Sequence, residues 1–189
     1  MHTVLLEFGF IRSWADHCVY ILHRDGETCI LFLYVDDNGI LSSSFALVVE
    51  VKEFLKSRFS MKDLGKAEYI LGIQIIRNAD RTSITLSQRS YMHTILRRFE
   101  MEHCAPVLTP MEPGLRLEPL SAGLQPFNVP YQALIGSLMY LMLATRPDIT
   151  FAVSQLSRFA GRPSEAHWKA GKHLLRYIQG TLDLSLIHI

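Results

Sequence analysis

The hydrophobic pattern of the first half of the chain predicts strands arranged as hairpins. Residues 29–35 (CILFLYV) are continuously apolar and contain several β-branched and aromatic side chains, which is typical of a buried strand. Residues 39–44 (GILSSS) can return beside it, because Asn38-Gly39 is a dipeptide typical of two-residue hairpin turns. Residues 69–77 (YILGIQIIR) and 84–87 (ITLS) predict two further strands, joined by a polar loop.

Apolar residues at helical spacing predict two helices beside these strands. Over residues 45–58 the apolar side chains recur at intervals of three and four, and Ser44 can cap the first turn. Over residues 88–99 the same spacing puts apolar side chains on one face, with Ser87 as the predicted N-cap. Both helices therefore have an apolar side that can pack against a neighbouring element.

The second half of the chain carries helical patterns only. Residues 105–130 contain six prolines, which predict an irregular connection. Three helices are predicted after it, over Tyr131–Ala144, Pro147–Ala160 and Ser164–Gln179. The order of elements predicts the α+β class, with an α+β first part and an all-helical second part.

Composition places the chain among globular proteins. It has 189 residues, of which 49% are hydrophobic and 20% charged, and this excludes an intrinsically disordered chain. Its three cysteines lie far apart, so a disulfide scaffold is excluded. We find no apolar run long enough to cross a bilayer and no secretory signal pattern. We therefore expect an intracellular protein, cytoplasmic or nuclear, that is not secreted and has no membrane partner.

Basic residues collect toward the end of the chain, although the net charge is only +1. Residues 131–180 hold six Lys and Arg against two Asp and Glu. Within the last predicted helix, the side chains at i, i+3, i+4 and i+7 form one basic ridge: Lys169, Lys172, His173 and Arg176. Such a ridge can bind a polyanion, or it can be a solvated helix face, and charge alone does not separate the two.

The strongest chemical signal is the tetrapeptide Tyr34-Val35-Asp36-Asp37 at the end of the apolar strand. Two adjacent carboxylates are costly to bury without partners, and a divalent cation is a natural partner for both. Because side chains alternate along a strand, Asp36 is expected to share a face with Phe32 and Tyr34 and to be the main metal ligand. The alternative is that both acids are solvated turn residues.

The order strand, Tyr-Val-Asp-Asp, returning strand and helix resembles the palm hairpin of reverse transcriptases. The rest of the chain resembles the copia-type retrotransposon polymerases specifically. The segments that carry this resemblance are FSMKDLGKAEYILGIQIIR (59–77), ITLSQRSY (84–91), PVLTP (106–110), YQALIGSLMYLMLATRPDITFAVSQLSRF (131–159) and HWKAGKHLLRYIQGT (167–181). Several separate motifs in one order are far more specific than a single short pattern.

The resemblance implies a partial polymerase palm over residues 1–87 and a helical, thumb-like region over residues 88–183. It implies that Asp36 and Asp37 are catalytic and bind Mg²⁺ or Mn²⁺, as in the two-metal transfer of nucleotides. The implied contacts with a primer–template of RNA or DNA are Tyr34, Gly72 in a primer-grip-like strand, Lys169, Lys172 and Arg176. Deoxynucleotides are the other implied partner.

The same resemblance predicts that part of the enzyme lies outside this sequence. The family's first catalytic aspartate belongs to an upstream palm strand, and the fingers and a downstream RNase H domain are also expected elsewhere. We therefore expect this chain to be inactive alone, although its family is an RNA-directed DNA polymerase. Residues 184–189 are expected to be a tail unrelated to the family, and Asn38-Gly39 departs from the family's usual apolar residues. The alternative function is a non-catalytic, nucleic-acid-binding remnant of a retrotransposon.

Overall fold

The computed structural model describes residues 1–80 and 82–184 and has the predicted α+β class. It divides into two compact units, Met1–Ala67 and Glu68–Ile189. This boundary lies before the expected division after residue 87, because the strands that follow Ala67 are grouped with the helices. Except for Leu184, the expected tail lies outside the described residues.

The first unit is an antiparallel sheet with two helices. The sheet order is β1-β2-β3-β4. In chain order the elements are α1 (His2–Phe8), β1 (Ile11–Arg12), β2 (Val19–Arg24), β3 (Glu27–Tyr34), β4 (Asp37–Ser42) and α2 (Phe45–Arg58). The bounds of α2 agree with the prediction, and Ser44 Oγ accepts a hydrogen bond from the Leu47 N–H at 3.4 Å, as a helix N-cap does.

One face of this sheet forms the core of the first unit. Cys29 and Leu31 alternate toward the buried side of β3 and pack with Leu47, Val51 and Leu55 of α2. Each fully buried side chain of this kind contributes about 1.5–3 kcal/mol to folding. The packing therefore holds the end of β3 in place, which is where the Tyr34–Asp37 segment begins.

The predicted turn at Asn38-Gly39 is wrong. The strand register pairs Tyr34 with Asp37 and Phe32 with Gly39, so the two turn residues are Val35 and Asp36. A Cβ atom at Gly39 would overlap the ring of Phe32. Gly39 therefore serves cross-strand packing, in which an aromatic ring covers the glycine of the neighbouring strand.

The second unit combines a small sheet with a helical core. Its antiparallel sheet has the order β5-β6-β7. Its elements are β5 (Tyr69–Ile70), β6 (Ile73–Arg77), β7 (Ile84–Ser87), α3 (Arg89–Arg98), α4 (Tyr131–Ala144), a 3₁₀ turn (Pro147–Ile149), α5 (Thr150–Ser157) and α6 (Glu165–Gly180). The irregular, proline-rich connection between α3 and α4 agrees with the prediction.

Two details of the second unit differ from the predictions. The helix expected over residues 147–160 begins as a 3₁₀ turn, since Pro147 occupies its first position, and α5 ends at Ser157. The N-cap position of α3 is Gln88 rather than Ser87, although Ser87 Oγ accepts a hydrogen bond from the Arg89 N–H at 3.2 Å.

The helices of the second unit share one core. It is made mostly of apolar side chains on α3, α4, α5 and α6, including Ile95, Leu96, Leu134, Leu138, Leu141, Leu156, Leu174 and Ile178. This core gives α6 a fixed buried side, so its basic residues lie on defined parts of its remaining surface. Within the described ranges, none of the helices has the length and apolar composition needed to cross a bilayer.

Candidate active site

The tip of the β3–β4 hairpin carries the two predicted catalytic carboxylates. Asp36 is the second residue of the turn, and Asp37 begins β4 directly opposite Tyr34. Both aspartates are exposed. Within the part of the chain that the structure describes, neither carboxylate takes part in an ion pair or a side-chain hydrogen bond. Both are therefore accessible oxygen donors.

The register corrects the expected direction of Asp36. Opposite residues of an antiparallel pair point to the same side of the sheet, so it is Asp37 that shares a face with Tyr34 and Phe32. Asp36 lies in the turn, where strand alternation no longer applies. The error follows from placing the turn too late, which extended the strand through both aspartates.

The turn also contains strained backbone. Val35 has a φ of 53°, in the left-handed region that a β-branched residue rarely adopts. Such a conformation costs of the order of 1–3 kcal/mol and persists only where the surrounding structure enforces it. The two-residue hairpin turn requires a positive φ at its first position, and this conformation of Val35 presents two adjacent carboxylates beyond the end of the sheet.

These two carboxylates are the type of ligand that a divalent cation prefers, but two side chains supply fewer ligands than such a cation usually has in a protein. Exposed carboxylate oxygens are the ligands that Mg²⁺ and Mn²⁺ prefer. Among residues 1–80 and 82–184, however, no group of three or more His, Cys, Asp or Glu side chains is placed to hold a metal. The two carboxylates alone therefore do not make up a complete metal site.

Gly72 lies at the tip of a second hairpin, in the second unit. The continuous strand expected over residues 69–77 is interrupted, because Leu71 and Gly72 both have positive φ angles, 50° and 76°, and form the turn between β5 and β6. A Cβ atom at Gly72 would lie 2.9 Å from the Tyr140 hydroxyl oxygen. That hydroxyl donates a hydrogen bond to the Leu71 carbonyl. Tight packing thus explains this glycine, and Tyr140 is a contact that the sequence did not indicate.

The basic ridge of α6 divides into two halves. Lys169 is exposed and pairs with Glu165, the Nζ and Oε1 atoms being 2.9 Å apart, and Lys172 Nζ lies 5.6 Å from the centre of the Trp168 ring. His173 and Arg176 instead hold the proline-rich connection. His173 Nε2 lies 3.0 Å from the Thr109 carbonyl oxygen, and Arg176 Nε donates to the Ala105 carbonyl at 2.7 Å.

A buried arginine on the loop after α4 was not indicated by the sequence pattern. Arg146 is 2% exposed, and its guanidinium donates to the Asp148 carboxylate through Nε at 2.9 Å and Nη2 at 2.8 Å. It also donates to the Thr181 hydroxyl and carbonyl at 2.7 and 3.2 Å. Tyr177 donates to Asp148 at 3.0 Å. Burial raises the pKa of Asp148, but the bonds from Arg146 and Tyr177 outweigh it and hold the pKa below its ordinary value.

The candidate residues therefore form separate groups. Tyr34, Asp36 and Asp37 lie together on one hairpin of the first unit. Gly72 and the basic residues of α6 belong to the second unit. The Arg146 network ties the loop after α4 to the end of α6, and all its side chains satisfy each other, so it is a structural feature rather than a site for a ligand.

Comparison with known proteins identifies the family. Residues 1–113 match the family described as reverse transcriptase (RNA-dependent DNA polymerase). The chain is 40% identical over 182 residues to the retrovirus-related Pol polyprotein from transposon TNT 1-94 of Nicotiana tabacum, which covers 91% of this chain and 14% of that protein. It is 38% identical over 181 residues to the retrovirus-related Pol polyprotein from transposon RE1 of Arabidopsis thaliana, covering 96% of this chain and 12% of that protein.

A shorter relative supports the same assignment. The putative transposon Ty5-1 protein of Saccharomyces cerevisiae is 31% identical over 187 residues, which is 98% of this chain and 60% of that protein. No solved structure matches the chain. The two matches to Pol polyproteins cover nearly the whole of this chain, but the chain spans only 14% and 12% of those proteins. It belongs to the reverse transcriptase (RNA-dependent DNA polymerase) family, in the copia-type group found in retrotransposon Pol polyproteins.

Proposed function

We propose that this chain contributes the Asp-Asp hairpin of the catalytic centre to a copia-type reverse transcriptase, which copies RNA or DNA templates into DNA from deoxynucleotides. The observation that carries the proposal is the pair Asp36 and Asp37 at a hairpin tip, in a chain that belongs to this family. The two carboxylates are exposed, adjacent and without partners among the described residues. A solvated turn would also explain the exposure of these acids, and the family context is what favours the catalytic role over that alternative.

The two carboxylates have the chemistry that a divalent metal requires. Asp36 and Asp37 would hold Mg²⁺ or Mn²⁺ through hard oxygen donors. When bound, such ions supply positive charge to the attacking and leaving oxygens of phosphoryl transfer. Tyr34, opposite Asp37, would lie beside the end of the primer and exclude water from it. The third carboxylate that the family's chemistry uses would come from another segment of the Pol polyprotein.

The second unit would bind the primer–template duplex. Lys169 and Lys172 would present charges that neutralise phosphates. The Leu71-Gly72 turn would contribute its exposed outer side to the primer, because the Tyr140 hydroxyl occupies the space of a Gly72 side chain. Arg176 keeps its remaining guanidinium donors after bonding Ala105. In this proposal residues 1–87 act as part of a palm and residues 88–183 as a thumb, completed by upstream palm and fingers and a downstream RNase H domain.

Exchange of segments tests the catalytic proposal. The chain would replace the matching segment of the tobacco TNT 1-94 polyprotein, and primer extension would be measured with Mg²⁺ on an annealed template. We expect extension by the chimaera and none by this chain alone. Asp36→Asn and Asp37→Asn should each reduce the rate by about 10³-fold or more, since metal ligation supplies several kcal/mol to the transition state.

The matched control for these variants is Asp25→Asn. Asp25 is an exposed aspartate in the two-residue turn between β2 and β3 of the same sheet, so it should leave extension unchanged. An inactive chimaera, or equal activity of the Asp36→Asn and unmodified chimaeras, would contradict the catalytic proposal. Duplex binding that persists without extension would support the non-catalytic remnant instead.

Salt dependence tests the nucleic-acid surface. The affinity of the chain for a duplex should fall steeply as salt rises, because bound phosphates release counterions. Removing one phosphate contact, by Lys169→Gln or Lys172→Gln, should make the slope of log K against log salt shallower by about one. Arg97→Gln, an exposed arginine on α3 paired with Glu102, is the control that should not change the slope.

A further inference from the structure

The N-terminus of α6 is closed by a buried histidine. The backbone N–H of Ser164 donates to His167 Nδ1 at 2.8 Å, and the backbone N–H of His167 donates to Ser164 Oγ at 3.5 Å. These reciprocal bonds form a capping box, in which the third helical position usually carries Glu or Gln. Here the reciprocal acceptor is an imidazole, which titrates in the range between pH 5 and 8.

The hydrogen bonds define the protonation state of the ring. Because Nδ1 accepts a hydrogen bond from a backbone N–H, the neutral ring carries its proton on Nε2. His167 is 0% exposed, and its ring stacks on Phe159 with centroids 4.0 Å apart and planes inclined by 14°. A proton added at Nδ1 would remove the bond from the Ser164 backbone N–H, leave the Ser164 hydroxyl oxygen, 2.9 Å away, as the acceptor, and put a charge in a buried position.

Charged groups near the ring do not offset that cost. Arg158 places its guanidinium carbon 5.9 Å from the centre of the Phe159 ring, so it supplies no negative charge to a protonated His167. On α6 itself, Glu165 pairs with Lys169 at the surface. The N-terminal end of a helix carries partial positive charge, which also disfavours an imidazolium in the first turn.

The remaining neighbours are neutral or weakly favourable to the charge. Tyr131 of α4 lies 6.4 Å from the His167 ring between centroids, and its hydroxyl donates to the Leu156 carbonyl at 2.9 Å. Burial lowers the pKa of His167, and the backbone of Glu118 offsets part of this shift. The acceptor role of Nδ1, the stacking on Phe159 and the burial thus favour the neutral form, although its buried Nε2 has no hydrogen-bond partner among the described residues.

We propose that His167 is an acid-sensitive latch of α6. As a neutral imidazole it closes the helix N-terminus, and on protonation it releases Ser164 and loosens the first turns of the helix that carries Lys169 and Lys172. An unfolded histidine takes its proton near pH 6.5, whereas the buried ring resists it. The stabilisation is therefore complete above that pH and is lost as the pH falls below it.

Thermal unfolding of the whole chain at pH 7.5 and pH 5.5 tests the latch. His167→Gln keeps a capping-box residue but removes the titrating group. Loss of a helix cap corresponds to a Tm change of roughly 2–4 °C in a chain of this size. We expect the acid-induced fall in Tm to be smaller in His167→Gln by that amount. His103→Gln, at an exposed histidine after α3, should behave like the unmodified chain.

Nitrogen NMR of the unmodified chain gives an independent answer if His167→Gln folds poorly. The proposal predicts that His167 carries its proton on Nε2 at pH 7.5, and that its protonation coincides with loss of protection of the Trp168 amide, which donates to the Ser164 carbonyl. A proton on Nδ1 at pH 7.5, or an equal fall in Tm in the His167→Gln and unmodified chains, would overturn the proposal.

Discussion

Two groups of charged side chains, one in each unit, differ in burial and in bonding. In the first unit, Asp36 and Asp37 lie exposed at a hairpin tip, and their carboxylates make no ion pair or side-chain hydrogen bond in the described chain. In the second unit, Arg146 is buried, and its guanidinium donates hydrogen bonds to Asp148 and Thr181. A buried network is explained by folding, because its groups satisfy each other. The exposed pair has no such contacts in the described chain, and the catalytic role proposed above is what would account for it.

The largest effect in this comparison is expected from Arg146→Met. It removes the cation but keeps an apolar side chain of similar length, leaving Asp148 without its main partner. Breaking a buried ion pair from one side should lower the free energy of unfolding by about 3 kcal/mol. Denaturation can be followed through Trp168 fluorescence in a Trp14→Phe background, since Trp14 is fully exposed.

Arg97→Met is the matched control for that variant. Arg97 is 73% exposed and pairs with Glu102 at the surface, so its loss should change the stability by no more than about 0.5 kcal/mol. Equal effects of Arg97→Met and Arg146→Met would contradict the structural role given to the buried network.

The next effect concerns the hairpin itself. Gly39→Ala should destabilise the β3–β4 pair by about 1–3 kcal/mol, because the new methyl group overlaps the Phe32 ring. Amide hydrogen exchange of Phe32 and of residue 39, which lie opposite each other in the β3–β4 pair, measures the change locally. In a Phe32→Ala background the same substitution should cost much less, and a double-mutant cycle without coupling would show that the ring does not cover this glycine.

Gly72→Ala should have a smaller but separable effect. A positive φ costs a non-glycine residue about 1–2 kcal/mol, and the contact with the Tyr140 hydroxyl adds to it. Gly123→Ala provides the control, because Gly123 has a φ of 86° and no atom within 4 Å of an added Cβ. Urea denaturation should show a greater loss for Gly72→Ala, and Tyr140→Phe should reduce the difference between the two. No difference would contradict the tight packing at this turn.

The smallest effect is expected at the hairpin tip. Asp36→Asn and Asp37→Asn should change the free energy of unfolding by less than about 0.5 kcal/mol, because neither side chain has a partner to lose in the described chain. Thermal unfolding at neutral pH measures this directly. A large loss of stability in either variant would mean that the aspartates serve the fold, and the contrast between the units would disappear.

Local patterns predicted much of this fold. The bounds of α2 and α4 agree with the sequence, since periodicity, the Ser44 cap and the preceding Pro130 are all visible within a few residues. The turn at Val35-Asp36 was missed because Asn38-Gly39 is the stronger local signal. What decides the register is the Phe32 ring packed across the pair, a contact between strands that a local pattern does not contain.

Non-local contacts also explain the other differences. The basic ridge was visible from spacing, but the use of Arg176 and His173 to hold residues 105–109 depends on contacts between positions distant in sequence. Likewise, the burial of Arg146 could not be predicted from its neighbours in sequence, because its partner Thr181 lies 35 positions further along the chain. The position of the aspartate pair at the end of β3 could be predicted, because Tyr34-Val35-Asp36-Asp37 is a contiguous motif that directly follows an apolar run.

Manganese binding followed by NMR tests the central claim most directly. Mn²⁺ added to this chain should broaden the backbone amide signals of Val35, Asp36 and Asp37 first, since the two carboxylates are adjacent and accessible. The double variant Asp36→Asn/Asp37→Asn should lose this broadening, and Asp25→Asn should retain it. Broadening that is centred elsewhere, or that persists unchanged in the double variant, would contradict the assignment of this hairpin as the metal-binding part of the polymerase.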